Sequence, residues 1–244
     1  MLIVKSKPNV YSSITHEQIV IPSTHLPAVL WQLHNSMNHP SKSQLKLQFE
    51  RTFYSVGLHP ELDKLYTNCH FCASQMKIPS VVQHHSKCEA KVPGTNFHAD
   101  VIKRKSQNIL IIRDNFSSYT VAKIIKSETH RDLKEGIIDL IIPIKLAGKV
   151  TVKVDNATGF KPLIDQKDAD LNKLDIDIIC TDVLNKNENA VVDRACFEIE
   201  QELIRIEPDG RQVNNTTIQH AVQILNQKLR RNGKLSAFEI HFNR

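Results

Sequence analysis

The sequence predicts an α/β chain in which a mixed sheet flanked by helices is preceded by a small helical unit held together by a metal. Three observations carry this expectation. Helical hydrophobic spacing in the first third gives way to β-branched and aromatic runs beyond residue 93. Two histidines and two cysteines bracket the helical part, and the later part runs as three strand-like segments followed by alternating helical and strand-like ones. A length of 244 residues accommodates one compact domain and a satellite.

In the first part, Leu26, Val29, Leu30 and Leu33 recur at helical spacing. Ser41 and Ser43 offer caps for a second helix carrying Leu45, Leu47 and Phe49, and Pro60 offers a start for a third before Leu62 and Leu65. So few apolar positions cannot build a large core, and a unit of this size ordinarily needs a staple. His34, His39, Cys69 and Cys72, spaced H-x4-H-x29-C-x2-C, supply the four nitrogen and sulfur donors that tetrahedral zinc prefers. With 12 histidines in the chain, His59, His70, His84 and His85 among them, coincidence is the competing reading of that spacing. Cys88, Cys180 and Cys196 fit no ligand pattern and read as core or free thiols, and His70 reads as solvent-facing. An odd count of five cysteines with a single close pair indicates a reducing compartment.

The polar stretch 79–93 reads as a linker between residues 1–78 and a domain over 94–244. Residues 97–102, 108–113 and 119–125 form an expected antiparallel meander. Then follow a helix over 128–142, a strand over 149–154, a short helix over 166–172, a strand over 175–180, and helices beginning near Ala190 and Thr216. That chain order is the order of an RNase H-like fold.

Three carboxylates occupy notable positions in this series. Asp100 lies mid-strand in "FHADVI", where an acid among apolar residues is costly unless paired or metal-bound. Asp155 closes a strand in "VTVKVDNATGF", where open α/β sheets collect their site residues. Asp193 falls in the first turn of a helix, facing back toward the sheet. Singly, each has an ordinary explanation as an edge residue, an Asx-turn or a complement to a helix dipole. They are candidates for the clustered carboxylates that hard divalent ions need in two-metal phosphodiester chemistry.

Composition narrows the function classes. The most apolar stretch, 136–146, is interrupted by Asp139 and Lys145 and is too short to cross a bilayer. Lys5 and Lys7 follow the apolar opening at once, so no signal-peptide core forms, and a nuclear or cytoplasmic protein is expected. The net charge of +6 permits a polyanionic partner.

The stretch "LHNSMNHPSKSQLKLQFERTFYSVGLHPELDKLYTNCHFCASQMK" resembles the H-H-C-C zinc-binding module of retroviral and LTR-retrotransposon integrases. "HAD", "RDNFSSYTVAKII", "VDNATGF", "NKNENAVVDRACFEIEQEL" and "KLSAFEIHFNR" are similar, in order, to motifs of the D,D,E catalytic core of the same family, closest to gypsy or BEL/Pao-like elements. The resemblance covers nearly the whole chain. It implies structural Zn²⁺ at His34, His39, Cys69 and Cys72, and catalytic Mg²⁺ or Mn²⁺ on Asp100, Asp155 and Asp193. It further implies trimming and joining of element-end DNA to target DNA, a homo-oligomer, and DNA contacts from Asn185, Lys186, Asn187 and Arg194. Three departures stand out: the family's third acid is glutamate where this chain has Asp193, and two family glycines are replaced by Ala157 and Asn38. Glu188 and Glu198 are alternative acids off the aligned position. The family also carries a C-terminal domain, so a chain ending at Arg244 is expected to be a polyprotein piece, a truncated copy or a host-adopted gene. The competing expectations are a catalytically decayed DNA-binding or interaction protein and an RNase H-type nuclease.

Overall fold

The computed structural model describes residues 3–5, 17–75, 90–146, 148–155, 159–165, 168–180, 190–230 and 235–242. Two compact units are present, Met1–Val81 with Leu229–Lys234, and Val82–Lys228 with Leu235–Arg244. Most of the expected linker, residues 79–89, lies outside the described residues.

The first unit runs β1 (Ile3–Lys5), β2 (Glu17–Val20), α1 (Leu26–Ser36), α2 (Lys42–Thr52), β3 (Phe53–Tyr54), α3 (Leu58–Asn68) and α4 (His70–Gln75). The helices follow the apolar spacing: Leu26, Leu30, Leu45, Phe49 and Leu62 are fully buried in one cluster. Ser41 caps α2 through Gln44 N–H at 3.3 Å. The third helix starts at Leu58 rather than Pro60, because Gly57 at φ +88° makes the left-handed turn that leads into it. The three-stranded sheet was not expected from the sequence. β1 pairs antiparallel with β2, and β2 parallel with β3.

The second unit contains β4 (Asn96–Arg104), β5 (Gln107–Asp114), β6 (Thr120–Ile125), α5 (His130–Ile141), β7 (Val150–Val154), α6 (Lys161–Asp165), α7 (Ala169–Lys173), β8 (Ile176–Cys180), α8 (Ala190–Ile206), α9 (Asn215–Gln227) and α10 (Ala237–Phe242). The sheet order is β6-β5-β4-β7-β8. The first three strands are antiparallel neighbours, while β7 pairs parallel with β4 and β8 parallel with β7. This is the mixed RNase H-like sheet that the element order predicts.

Side chains alternate between two cores, as strand period two requires. Phe97 and Ala99 of β4, Leu110 and Ile112 of β5, and Val152 and Val154 of β7 pack under α5. Ile109 and Ile111 of β5 pack on the other face with Val192, Ala195, Ile199 and Leu203 of α8 and with α9. Burying each such side chain stabilises the fold by about 1.5–3 kcal/mol.

Two details differ from expectation. The helix expected over 166–172 is two short helices, with α7 capped by Asp168 through Asp170 N–H and Leu171 N–H at 2.9 and 3.4 Å. The added helix α10 is anchored by His241, whose Nε2 donates to the Ile144 carbonyl at 2.8 Å and whose Nδ1 lies 3.1 Å from Ser117 Oγ. Ser117 and Gly94 in turn donate to Asp114, a fully buried carboxylate at the end of β5.

Candidate active site and metal centre

In the first unit, α1 delivers His34 and the turn after it delivers His39. Asn38 and His39 both have positive φ, 52° and 55°, which reverses the chain directly after the helix. Asparagine is the non-glycine residue that best tolerates this conformation, so Asn38 stands where a glycine would be easier without losing the turn. Cys69 ends α3 and Cys72 lies on α4.

The four donor atoms lie within 4.8 Å of one another. His39 Nδ1 is 2.9 Å from His34 Nε2 and 3.3 Å from Cys69 Sγ, while His34 Nε2 is 3.4 Å from Cys69 Sγ and 3.5 Å from Cys72 Sγ. A tetrahedral zinc ion with ordinary Zn–N and Zn–S bonds separates its ligands by about 3.3–3.8 Å. The cluster fits zinc. Burial and then the charge of His39 lower the His34 pKa to about 4, keeping the ring in the neutral form a metal ligand requires. His70, between the cysteines, is exposed.

In the second unit the sheet register brings the first two acids together. Ala99 of β4 pairs with Val154 of β7, so the next residues, Asp100 and Asp155, lie side by side where β7 ends and β4 continues. Ala99 and Val154 face α5, and the pleat turns the following pair toward α8. Asp193 occupies the first turn of α8, which packs against β4 and β5.

The three carboxylates feel one another electrostatically. Burial raises the Asp100 pKa to about 6, opposed by the hydrogen bond from Val101 N–H at 2.7 Å and reinforced by the charges of Asp155 and Asp193. Burial and the Asp155 charge raise Asp193 as well. Asp100 and Asp155 line a cleft of about 160 Å³ with Lys103, Glu128, Leu133 and Phe160. Gly159 closes its floor: a Cβ there would sit 2.1 Å from the Glu128 carbonyl, so only glycine fits.

Oxygen-rich, mutually repelling carboxylates suit hard divalent cations. Among the described residues, the His/Cys set is a group of metal-ligand donors gathered within 4.8 Å.

Ionised Asp100 is a cost to the folded protein. Its folded pKa of about 6 exceeds the ordinary 3.8, so its favourable contribution is full below pH 3.8 and disappears as pH rises through 6. Asp100→Asn is therefore expected to raise the melting temperature of the metal-free protein by about 2–6 °C at pH 8, after discounting for partial solvent screening, and to leave it unchanged near pH 4. Calorimetry at both pH values checks this; equal melting at pH 8 would show a solvated, unstrained carboxylate.

Other expected site residues fare differently. Asn185, Lys186, Asn187 and Glu188 lie outside the described residues, as does Ala157. Arg194 is engaged within the protein: its Nε donates to Glu198 Oε1 at 2.7 Å. Arg113 Nη2 donates to the other oxygen of Glu198 at 2.5 Å. Glu198 is buried between two guanidinium groups, which places it in the structure of α8 rather than beside Asp100 and Asp155.

Cys196 was read from sequence as a core or free thiol. It is buried, but its Sγ lies 3.9 Å from Asp100 Oδ2, one helical turn beyond Asp193. The i, i+3 spacing from Asp193 was the available signal.

No family model matches the sequence, and no curated protein matches it. Solved structures do. A chain of the simian T-cell lymphotropic virus intasome bound to the PP2A regulatory subunit B56 gamma aligns with TM-score 0.56 and 18% identity, covering 88% of this chain and 74% of that one. The catalytic core domain of BIV integrase aligns with TM-score 0.52 and 19% identity over 62% of this chain and 95% of that one. The HTLV-2 integrase catalytic core domain in complex with magnesium, in its trimeric form, aligns with TM-score 0.50 and 18% identity over 62% and 98%. At these identities the likeness concerns the fold, which is that of the retroviral integrase catalytic core.

Proposed function

We propose that this chain is the integrase of an LTR retroelement of gypsy or BEL/Pao-like kind, processing the 3′ ends of element DNA and joining them to target DNA. In this reading residues 1–78 form the zinc module and 94–244 the catalytic core. The observation that carries it is the register Ala99↔Val154, which sets Asp100 and Asp155 side by side beneath the helix bearing Asp193, on an integrase-type fold.

Asp100, Asp155 and Asp193 would hold two Mg²⁺ or Mn²⁺ ions. Such ions activate an attacking oxygen and stabilise the departing one in an in-line phosphodiester displacement. The chain's own residues orient the site. Val101 N–H fixes Asp100 Oδ1 at 2.7 Å, and the Cys196 thiol lies against Oδ2. Burial first, and then the charges of the neighbouring carboxylates, raise the pKa values of Asp100 and Asp193, a cost that cation binding would relieve.

Element-end and target DNA are the proposed partners, with a second copy of the chain to complete the assembly and the nucleus as the place of action. No helix among the described residues is long and apolar enough to cross a membrane.

A second reading, a decayed integrase kept as a DNA-binding or interaction module, draws on the short Asp193 side chain at the place of the third acid. Purified chain incubated with duplex DNA under Mg²⁺ or Mn²⁺ separates the two. The first reading expects metal-dependent nicking or strand transfer. Salt-sensitive DNA binding with no cleavage under either ion supports the second and refutes the first.

A further inference from the structure

We infer that the tip of the β4–β5 hairpin is a phosphate-binding platform for a DNA strand leading away from the carboxylates, with Arg104 as its anchor. The inference rests on the integrase reading above.

Arg104 is the last residue of β4. It lies on the same face of the strand as Asp100, by alternation, and pairs across the hairpin with Gln107. Its Nε and Nη2 are shut off from solvent and have no hydrogen-bond partner. These two nitrogens form the side-on edge with which a guanidinium grips a phosphate or carboxylate bidentately. A charged donor edge left buried and unsatisfied destabilises the protein, and swinging outward onto an anion removes that cost.

The surroundings favour an anionic guest. Lys103, on the opposite face of the strand by the same alternation, is 72% exposed at its side chain and lines the Asp100–Asp155 cleft. Lys105 is exposed at the turn, and Arg211 is exposed in the α8–α9 connection. Lys103 is paired with Glu128 and Arg211 with Asp209, so part of this charge is already balanced. On Arg104, both nitrogens of the side-on edge remain without a partner.

The platform is held in place from below. Gln107 Nε2 donates to the Val213 carbonyl at 2.8 Å while Val213 N–H donates back to Gln107 Oε1 at 2.9 Å, and Gln212 Nε2 reaches the Lys105 carbonyl at 3.2 Å. Lys105 and Ser106 take φ values of 44° and 66°, the tight reversal that Asn-Gly ordinarily fills. Lys105 at this position sets a second cation at the tip.

Distance fixes which phosphate is involved. Four residues of extended strand, at about 3.3 Å each, separate Arg104 from Asp100 by about 13 Å. A DNA strand rises about 3.4 Å per nucleotide, so Arg104 would meet a phosphate about four nucleotides from the one at the carboxylates.

The test uses the full zinc-loaded chain and labelled duplex DNA, with affinity measured against salt concentration. Arg104→Gln is expected to weaken binding about tenfold at low salt and to make the slope of log K against log salt shallower by about 1. Arg104→Lys should keep the slope and lose affinity, since it retains charge without the bidentate edge. Zinc content and melting temperature should not fall in either variant. If wild type binds with salt sensitivity and Arg104→Gln matches it in affinity and slope, the platform is refuted while the integrase reading stands. Absence of salt-sensitive binding by the wild type refutes both. If inorganic phosphate stabilises wild type but not Arg104→Gln while the DNA slope is unchanged, the edge serves a free anion and the DNA track is overturned.

Discussion

Cys72→Ser, or removal of metal by a strong chelator, is expected to unfold residues 26–75 and leave the sheet-containing unit folded. The apolar core of this region is small, with Leu26, Leu30, Leu45, Phe49 and Leu62 its fully buried members. A core of that size rarely supplies more than about 3–5 kcal/mol. Structural zinc contributes an apparent binding free energy of about 10–16 kcal/mol at neutral pH, so its loss exceeds the core's whole contribution. Hydrogen exchange should show protection lost across α1, α2 and α3 but retained in β4 and β5. Retained protection in α1–α3 of the Cys72→Ser protein would sink the idea. The pH dependence has a definite sign. His34 is neutral in the folded state with a pKa of about 4 against an ordinary 6.5, so stability is full above pH 6.5 and is lost as pH falls through 4.

Asp155→Asn is expected to abolish metal-dependent DNA cleavage, by at least about a hundredfold, while leaving zinc binding and fold intact. The amide keeps the size of the carboxylate but removes the charge of one of the two neighbouring proposed ligands, Asp100 on β4 and Asp155 just after β7. Isothermal titration with Mn²⁺ should show weakened binding alongside the lost activity. Residual cleavage at wild-type rate would remove Asp155 from the mechanism. Asp193→Glu provides the complementary test. One added methylene extends the carboxylate by about 1.5 Å, a length Mg²⁺ registers because it tolerates little departure from bond lengths of about 2.0–2.1 Å. A gain in Mg²⁺-supported strand transfer is expected if the short side chain is what limits this chain. No gain in a folded Asp193→Glu protein would show that aspartate already reaches.

The sheet was legible from sequence because its strands carry the alternation that two buried faces demand. Phe97 and Ala99 serve one core, and Ile109 and Ile111 the other. The His/Cys tetrad was legible because zinc imposes a spacing that survives without any view of the fold. The first small sheet was not, since Ile3, Val4, Ile19 and Val20 sit in runs of three or four residues whose partners are distant in the chain. Glu198 illustrates the same limit in the candidate site. Read in the sequence it competes for the place of the third acid, and only the packing of α8 on β5 reveals Arg113 waiting for it. Cys196 became a neighbour of Asp100 for the same reason.

Because the two strand acids follow immediately after the last paired position of β4 and β7, their meeting is inherited from backbone hydrogen bonding rather than from the identity of the side chains around them. Core residues can drift freely so long as their volume and alternation persist, which is compatible with a shared fold at 18–19% identity. Length is another matter. Losing or gaining one residue within 96–99 or 150–154 would turn one acid to the opposite face and part the pair, so this chain should tolerate substitution widely and indels in those two segments hardly at all.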